Sequence, residues 1–149
     1  MSAPYVRKAL GPGHWAEVEV HDYKQPGSAP FRDVTRQVLF RDPALAAEWR
    51  YFEVAPGGHS TLERHQHVHA VMILEGRGMC LVGGSLYAVA PHDLVSIPAD
   101  TWHQFRADEE VSLGFLCLVT AKRDRPRLPA EEDLAELRRD PEIAAFIRV

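Results

Sequence analysis

The sequence predicts an all-β domain, a sandwich or barrel followed by short helices. Residues 49–120 hold eight short apolar or alternating segments, separated by turn formers such as "PGG", "EGRG" and "PAD". Many short strands at regular spacing, divided by Gly/Pro turns, are typical of sandwiches and barrels. No helical pattern of about 12 residues interrupts this zone.

We expect one domain in three zones along the 149 residues. Residues 1–48 form an extension in which "HWAEVEV" and "DVTRQVLF" predict strands on either side of the loop "KQPGSAP". At the end of this zone "DPALAAEW" predicts one or two helical turns, because Asp42 stands before Pro43. Residues 49–120 are the barrel core, and residues 121–149 are a helical segment.

The core and the C-terminal zone divide further. The predicted core strands are "WRYFEVA", "STLERHQ", "HAVMILE", "GMCLV", "SLYAV", "DLVSIP", "HQFRA" and "VSLGFLCLVT". The predicted helices are "AEEDLAELRRD" and "DPEIAAFIRV", and Asp140 and Pro141 offer a cap and a first turn to the second helix. Their apolar faces either cover the outside of the barrel or form a dimer contact.

Composition excludes several classes of partner and location. The 17 basic and 21 acidic residues give a net charge of -4, so we expect no nucleic-acid partner. No apolar run approaches the roughly 20 residues that cross a bilayer, and the N-terminus lacks an apolar signal core. We therefore expect a soluble cytoplasmic protein without a membrane partner. Cys80 and Cys117 lie in apolar runs and are predicted to be reduced core residues.

The segment "ERHQHVH" places Glu63, His65, His67 and His69 at every second position. On a strand these side chains share one face, which indicates either a metal site or a solvated His-rich surface. The segment "PADTWH" favours the metal site, because it adds His103 at a predicted strand start. Folding of a sheet can bring two such strands together.

These two segments resemble the paired motifs of the cupin superfamily. The first motif is similar to "PGGHSTLERHQHVHAVMILEGRG" and the second to "PHDLVSIPADTWHQF", and together they cover residues 53–107. The resemblance implies a double-stranded β-helix, the RmlC-like cupin or jelly-roll barrel, of the small single-domain metal-binding type. His92 and Asp100 stand where the family has glycine, which predicts strained turns.

Aligned on "ILEGRG", the resemblance assigns four metal ligands: Glu63, His65, His69 and His103, with Glu63 in the family's first His slot. The family reverses the chain between the second and third ligands, so His67 is expected at the rim of the site. Two other ligand sets stay open. In one, the metal ligands are His65, His67, His69 and His103, and Glu63 is displaced. In the other, His65, His69 and His103 bind alone and Glu63 is a catalytic base.

Imidazoles with a carboxylate suit one divalent transition metal, namely Mn, Fe, Co, Ni, Cu or Zn. Four ligands on an octahedral ion leave open positions, as in a catalytic site. Ligand histidines must be neutral, so binding should weaken as pH falls toward about 6.5. Trp102 and Phe105 flank His103 and are expected either in the barrel core or in the wall of a substrate pocket.

Three functions follow from the ligand inventory and the resemblance. The first is a metal-dependent oxidoreductase of dioxygenase type that acts on a small organic substrate, with cupin isomerase and lyase reactions left open. The second is a non-enzymatic sensor or binding module for a metal or small ligand. The third is a barrel that binds metal only adventitiously. Small cupins often pair through sheet edges, so we also expect a homodimer in which the first 40 residues exchange a strand.

Overall fold

The computed structural model describes residues 3–149 and contains eleven strands and two short helices in that range. The elements are β1 (Ala9–Gly11), β2 (His14–Trp15), β3 (His21–Asp22), β4 (Arg32–Asp42), β5 (Ala47–His59), β6 (His69–Gly76), β7 (Gly78–Val82), β8 (Ser85–Val89), β9 (Leu94–Ile97), β10 (His103–Ala107), β11 (Leu113–Thr120), α1 (Glu131–Leu137) and α2 (Pro141–Phe146). The all-β prediction with short C-terminal helices is confirmed.

Nine strands form one antiparallel sheet that curls into an open barrel. Along the sheet the order is β8-β7-β10-β5-β11-β6-β9, and β4 pairs with β5 while β3 pairs with β4. The 13-residue strand β5 is the hub, because it pairs with β4, β10 and β11. Strands far apart in sequence therefore meet side by side across the barrel.

Alternation along these strands builds the barrel core, because every second side chain points inward. The core cluster consists of Val34, Phe52, Val54, Val71, Ile73, Cys80, Val89, Ile97, Phe105, Ala107, Leu113, Phe115, Cys117 and Val119. Phe115 lies at its centre and stacks on Phe52 at 5.5 Å and on Phe105 at 4.6 Å between ring centroids. Cys80 and Cys117 are buried free thiols.

Two predictions in the N-terminal zone are wrong. The segment "DPALAAEW" is the turn of the β4–β5 hairpin, not a helix, since pairing continues to Asp42 and Ala47 at its two ends. The Asp42 side chain accepts a hydrogen bond from Ala44 N at 2.9 Å, which closes a tight turn in place of a helical one. In "HWAEVEV" only His14–Trp15 is a strand, paired with β1.

The predicted strand "STLERHQ" is a loop in the structure. Residues 60–68 leave β5 and reverse into β6, and in this loop only isolated bridges form, Glu63 to His103 and Arg64 to Arg127. The bridges hold the loop against the start of β10 and against the C-terminal linker. Alternation therefore fails across the histidine-rich segment, and side-chain directions there follow the loop.

The C-terminal helices pack on the outside of the barrel. Their apolar side chains form a second cluster with the outward side of β7: Leu62, Leu81, Leu134, Leu137, Ile143, Phe146 and Ile147. As predicted, Asp140 caps α2, and its carboxylate accepts hydrogen bonds from Glu142 N at 2.8 Å and Ile143 N at 3.3 Å. The fully buried Gln104 fastens the chain end, because it accepts from Arg148 N at 3.0 Å and donates to Arg148 O at 2.9 Å.

The two turns that lack the family's glycine are strained, as predicted. His92 has φ of 77° and Asp100 has φ of 58°, the left-handed region that favours glycine. Glycine is retained where the backbone leaves no room. At Gly76, with φ of 73°, an added Cβ would lie 1.6 Å from Ser112 O.

Candidate metal centre

Three elements bring the candidate ligands to one end of the barrel. Glu63 and His65 lie in the loop before β6, His69 is the first residue of β6, and His103 is the first residue of β10. Backbone hydrogen bonds fix the loop to β10, from Glu63 N to His103 O at 3.2 Å and from His103 N to Glu63 O at 3.0 Å. The site is thus assembled by a loop docked on the end of a strand.

The structure brings together His65, His69 and His103. One ligand atom from each imidazole lies within 4.8 Å of those of the other two, the spread expected around a single ion. The Nε2 atoms of His65 and His69 are 2.8 Å apart. Two nitrogens that bind one ion at about 2.1 Å and near right angles lie about 3 Å apart, so this pair has ligand spacing.

The hydrogen bonds behind the rings orient their Nε2 atoms toward the cluster. His65 Nδ1 donates to His67 O at 2.8 Å, and His103 Nδ1 donates to Thr101 O at 2.9 Å. His69 Nδ1 lies 3.2 Å from Cys117 Sγ. A proton on Nδ1 leaves the Nε2 lone pair free for a metal, the arrangement usual for metal-binding histidines. The three residues therefore fit a divalent transition metal.

Burial keeps these imidazoles in the neutral form that binds metal. It lowers the pKa of His103 to about 4, although the nearby Glu63 carboxylate acts in the opposite direction. Burial also lowers the pKa of His69 to about 2, and the neighbouring His103 and His65 lower it further. At neutral pH no proton has to leave these two rings before an ion binds.

Glu63 is placed beside the cluster rather than within it. Its side chain is buried, and its Oε2 accepts a hydrogen bond from Lys24 Nζ, which reaches in from the loop between β3 and β4. Both residues line the same cavity as the histidines. The Glu63 carboxylate is thus engaged by the Lys24 ammonium group in this arrangement.

His67 lies at the bend that precedes β6, where the sequence places a chain reversal. Its ring stacks on His65 with centroids 3.7 Å apart and planes 2° apart. Its Nδ1 donates to Asp124 Oδ1 at 2.7 Å, and Asp124 also accepts from the backbone N–H groups of Gln66 and His67. The hydrogen bond from Gln66 N is the main cause that lowers the pKa of Asp124. His67 therefore supports His65 from the rim.

A cavity of about 360 Å³ opens beside the three imidazoles. Phe52, Phe105 and Phe115 form part of its wall, so Phe105 belongs both to the core and to the pocket. Trp102 is not among the lining residues in the described range 3–149. It packs against the C-terminal helices, and Arg64 lies 4.6 Å above its ring.

Several polar residues of the cavity were not expected from the sequence: Lys24, Arg36, Arg50, Cys117, Arg123 and Asp124. For Arg36 and Arg50 the sequence offers only strand alternation, which does not by itself show which face of a strand is turned inward. For Lys24 and Asp124 no local signal exists, because they lie in loops that reach the site only in the folded chain.

The chain contains no helix, within the described residues 3–149, of the length and apolar character needed to cross a bilayer. Its two helices have seven and six residues.

Comparisons with known proteins agree on the family. A family model described as the cupin domain matches residues 50–119. The chain is 62% identical over 133 residues to the 1-methylthio-D-xylulose 5-phosphate methylsulfurylase of Rhodospirillum rubrum. This match covers 89% of this chain and 85% of that protein. It is also 37% identical to a 5-nitrosalicylic acid 1,2-dioxygenase of a Bradyrhizobium species, over 56% of this chain and 54% of the dioxygenase.

A solved structure confirms the barrel. The crystal structure of a cupin 2 conserved barrel domain protein from Rhodopseudomonas palustris is 61% identical and superposes with a TM-score of 0.93. The superposition covers 97% of this chain and 100% of that chain. The double-stranded β-helix implied by the sequence motifs is therefore confirmed, and the chain belongs to the cupin family.

Proposed function

We propose that this cupin is a metal-dependent enzyme that acts on a methylthio-substituted pentulose phosphate. The observation that carries the proposal is the 62% identity, over 89% of this chain, to a protein named as a 1-methylthio-D-xylulose 5-phosphate methylsulfurylase. The cavity supports it, because a three-histidine cluster, a thiol and several cationic side chains line the same cavity. Each of these groups matches one part of such a substrate.

The imidazoles of His65, His69 and His103 would hold one divalent transition metal through Nε2. Such an ion supplies Lewis-acid polarisation of a carbonyl oxygen, which suits the ketone of a pentulose. The surrounding Phe52, Phe105 and Phe115 exclude water from the reacting carbons. Glu63, held by Lys24 at the edge of the cluster, is placed to accept or return a proton.

Cys117 is the cysteine that lines the cavity, next to the histidine cluster. Its Sγ lies 3.2 Å from His69 Nδ1, and Cys80, the second cysteine, does not line this cavity. A thiolate that attacks the methylthio sulfur would form a disulfide with it, while the electron pair of the C1–S bond stays on C1 and a proton there completes a 1-deoxyketose phosphate. We assign Cys117 to contact with the methylthio group of the substrate. Cys80 serves as its matched control, since both are buried thiols on barrel strands.

Protein purified without a tag should contain close to one equivalent of a transition metal by elemental analysis. It should release the methylthio group from 1-methylthio-D-xylulose 5-phosphate in the presence of a thiol reductant. We expect Cys117→Ser to lose this activity and keep its metal, whereas Cys80→Ser keeps both. Metal-replete protein that leaves this substrate unchanged would refute the proposal.

The second candidate is a dioxygenase that uses the same three histidines. It is favoured by the 37% identity to the nitrosalicylate dioxygenase, although this chain spans about half of that protein. Dioxygen uptake distinguishes the two functions. Uptake that depends on 5-nitrosalicylate and on the metal supports the dioxygenase, whereas methylthio release without oxygen consumption supports the first proposal. Tight binding of either compound without turnover would instead support the sensor or binding module.

A further inference from the structure

We propose that Arg36, Arg50 and Arg123 form a phosphate-binding subsite in the wall of the cavity that also contains the histidine cluster. This inference rests on the proposed function, because it identifies which residues receive the ionic end of a sugar phosphate. All three arginines line the same cavity as the imidazoles. Two of them stand at positions where a barrel normally buries apolar side chains.

Strand register places Arg36 and Arg50 on the inward face. Arg50 of β5 is paired with Val38 of β4 on one side and with Cys117 of β11 on the other. Arg36 of β4 is paired with Phe52, the core residue two positions after Arg50. The guanidinium of Arg50 lies 5.0 Å over the Phe52 ring. Both cations therefore project into the barrel with the core aromatics and not toward solvent.

The charge balance at this end favours an anion. Glu48 is the buried carboxylate among these arginines, and its Oε1 already accepts from Arg41 Nη2 at 2.9 Å and lies 3.4 Å from Arg123 Nη1. Arg50 Nε is buried and has no hydrogen-bond partner within residues 3–149. A buried N–H without a partner is costly, and an oxygen ligand would satisfy it.

Repulsion among the cations is a second observation that favours an anionic ligand. Burial lowers the pKa of Arg36, and the nearby Arg50 is the next largest cause. Arg123 acts in the same direction, while Glu48 offsets part of the effect. Like charges repel one another, so an anion that binds between the three arginines is stabilised by all of them.

Phosphate fits this subsite better than a carboxylate does. Guanidinium forks donate paired hydrogen bonds to phosphate oxygens, and three converging arginines match a group with three terminal oxygens and two negative charges. A carboxylate offers two oxygens and one charge, and so leaves part of the cluster unsatisfied.

The spacing suits a five-carbon chain with groups at its two ends. Arg50 lies on β5 and His69 on β6, with β11 between them. Two strand spacings and an offset of two residues along the strands separate their backbones by about 12 Å. Cys117 lies on the intervening strand, directly beside Arg50 and 3.2 Å from His69 Nδ1. A substrate with phosphate at C5 and methylthio at C1 would place its sulfur near this thiol.

Titration calorimetry on the metal-replete protein tests the subsite with D-xylulose 5-phosphate, D-xylulose and inorganic phosphate. We expect D-xylulose 5-phosphate to bind and D-xylulose to bind far more weakly, with inorganic phosphate as a competitor. Arg50→Gln and Arg36→Gln should each weaken binding of the phosphate by about 10- to 100-fold, the loss of one hydrogen-bonded ion contact. The control Arg41→Gln removes a cation from the same Glu48 but not from the cavity wall, and should change affinity by less than about threefold.

Arg50 is half-buried, so Arg50→Gln can prevent folding. Arg123 lies on an exposed linker, so Arg123→Gln tests the same subsite in a variant that we expect to fold. It should also weaken phosphate binding. Equal affinity for D-xylulose and its 5-phosphate, or unchanged affinity in folded Arg36→Gln and Arg123→Gln, would overturn the subsite.

The subsite and the proposed function can fail separately. If the folded arginine variants release the methylthio group with an unchanged KM, the phosphate subsite is refuted and the proposed function is supported. Arginine-dependent binding of D-xylulose 5-phosphate, with no methylthio release by the wild-type protein, would support the subsite and remove the function.

Discussion

Lys24 donates a hydrogen bond to Glu63 across 39 residues of sequence, and the pair closes one side of the histidine cavity. The contact joins the N-terminal extension to the barrel. It also determines what the Glu63 carboxylate can do, since an ammonium partner competes with any metal for the same oxygen. The four-ligand set that includes Glu63 and the three-histidine set with Glu63 as a base therefore make different predictions.

Replacement of Glu63 by glutamine should abolish most activity and leave the metal in place. The carboxylate is bound to Lys24 and lies outside the three-histidine cluster, so its loss removes a base rather than a ligand. Metal affinity measured by chelator competition should change by less than about tenfold, whereas His65→Ala should lower it by more than about 100-fold. Equal metal loss in the two variants would instead make Glu63 a ligand.

Replacement of Asp124 by alanine should weaken metal binding even though Asp124 is not in the cluster. Asp124 accepts hydrogen bonds from Gln66 N, His67 N and the His67 ring, and His67 O in turn holds His65 Nδ1. Loss of such a supporting group typically lowers metal affinity by about 10- to 100-fold. Asp133→Ala serves as control, because Asp133 accepts from Ala130 N and Arg127 and, among residues 3–149, from no backbone or ring N–H of the histidine-rich loop. Equal affinities in the two variants would count against the support role.

The metal-free protein should lose stability as pH falls below about 6.5. Burial holds the pKa of His103 at about 4 and that of His69 at about 2 in the folded chain. Above about pH 6.5 the rings of His69 and His103 are neutral in both the folded and the unfolded chain. Below that pH these rings bind protons in the unfolded chain but stay neutral in the folded chain. The free energy of unfolding therefore decreases toward low pH.

Urea unfolding after treatment with a chelator checks this pH dependence. His103→Gln should reduce the slope of unfolding free energy against pH between about pH 6.5 and about pH 4, since one such proton is removed from the balance. A His103→Gln slope equal to that of the wild type would contradict the assignment.

His92→Gly should stabilise the protein. His92 has φ of 77°, a conformation that costs an L-residue about 1–2 kcal/mol, of which the greater freedom of unfolded glycine offsets part. We expect a net gain of about 0.5–1 kcal/mol in thermal or urea unfolding. His92→Ala keeps the strained Cβ and should show no gain, so equal effects of the two substitutions would exclude backbone strain as the cause.

The homodimer expected from the sequence stays a prediction. Apolar side chains lie exposed on the outer face of the sheet, where Trp49 is paired with Leu118 and Met72 with Leu94 on neighbouring strands. Apolar patches of this kind often mark contacts between protein chains. Light scattering should give a molar mass in solution of twice the chain mass. The Leu118→Glu variant should have the mass of a single chain. A monomeric wild-type protein would contradict the prediction.

The amino-acid sequence by itself determined most of the barrel and part of the site. Residues with period-two alternation between Gly/Pro turns became strands, because both signals act over a few neighbouring residues. The same local rule placed His103 at a strand start. The alternation rule failed at "STLERHQ", and the Asp-Pro helix signal failed at "DPALAAEW", because the backbone there satisfies its hydrogen bonds in a loop or a turn.

Only the tertiary structure decided which groups share the cavity. Lys24, Asp124 and the three arginines reach it through strand register and loop docking, which depend on pairing between residues tens of positions apart. Such pairing leaves no local pattern, because a charged residue on an alternating strand looks the same whether it faces solvent or the barrel interior. The direction in which Arg50 points became known only once β5 was placed between β4 and β11.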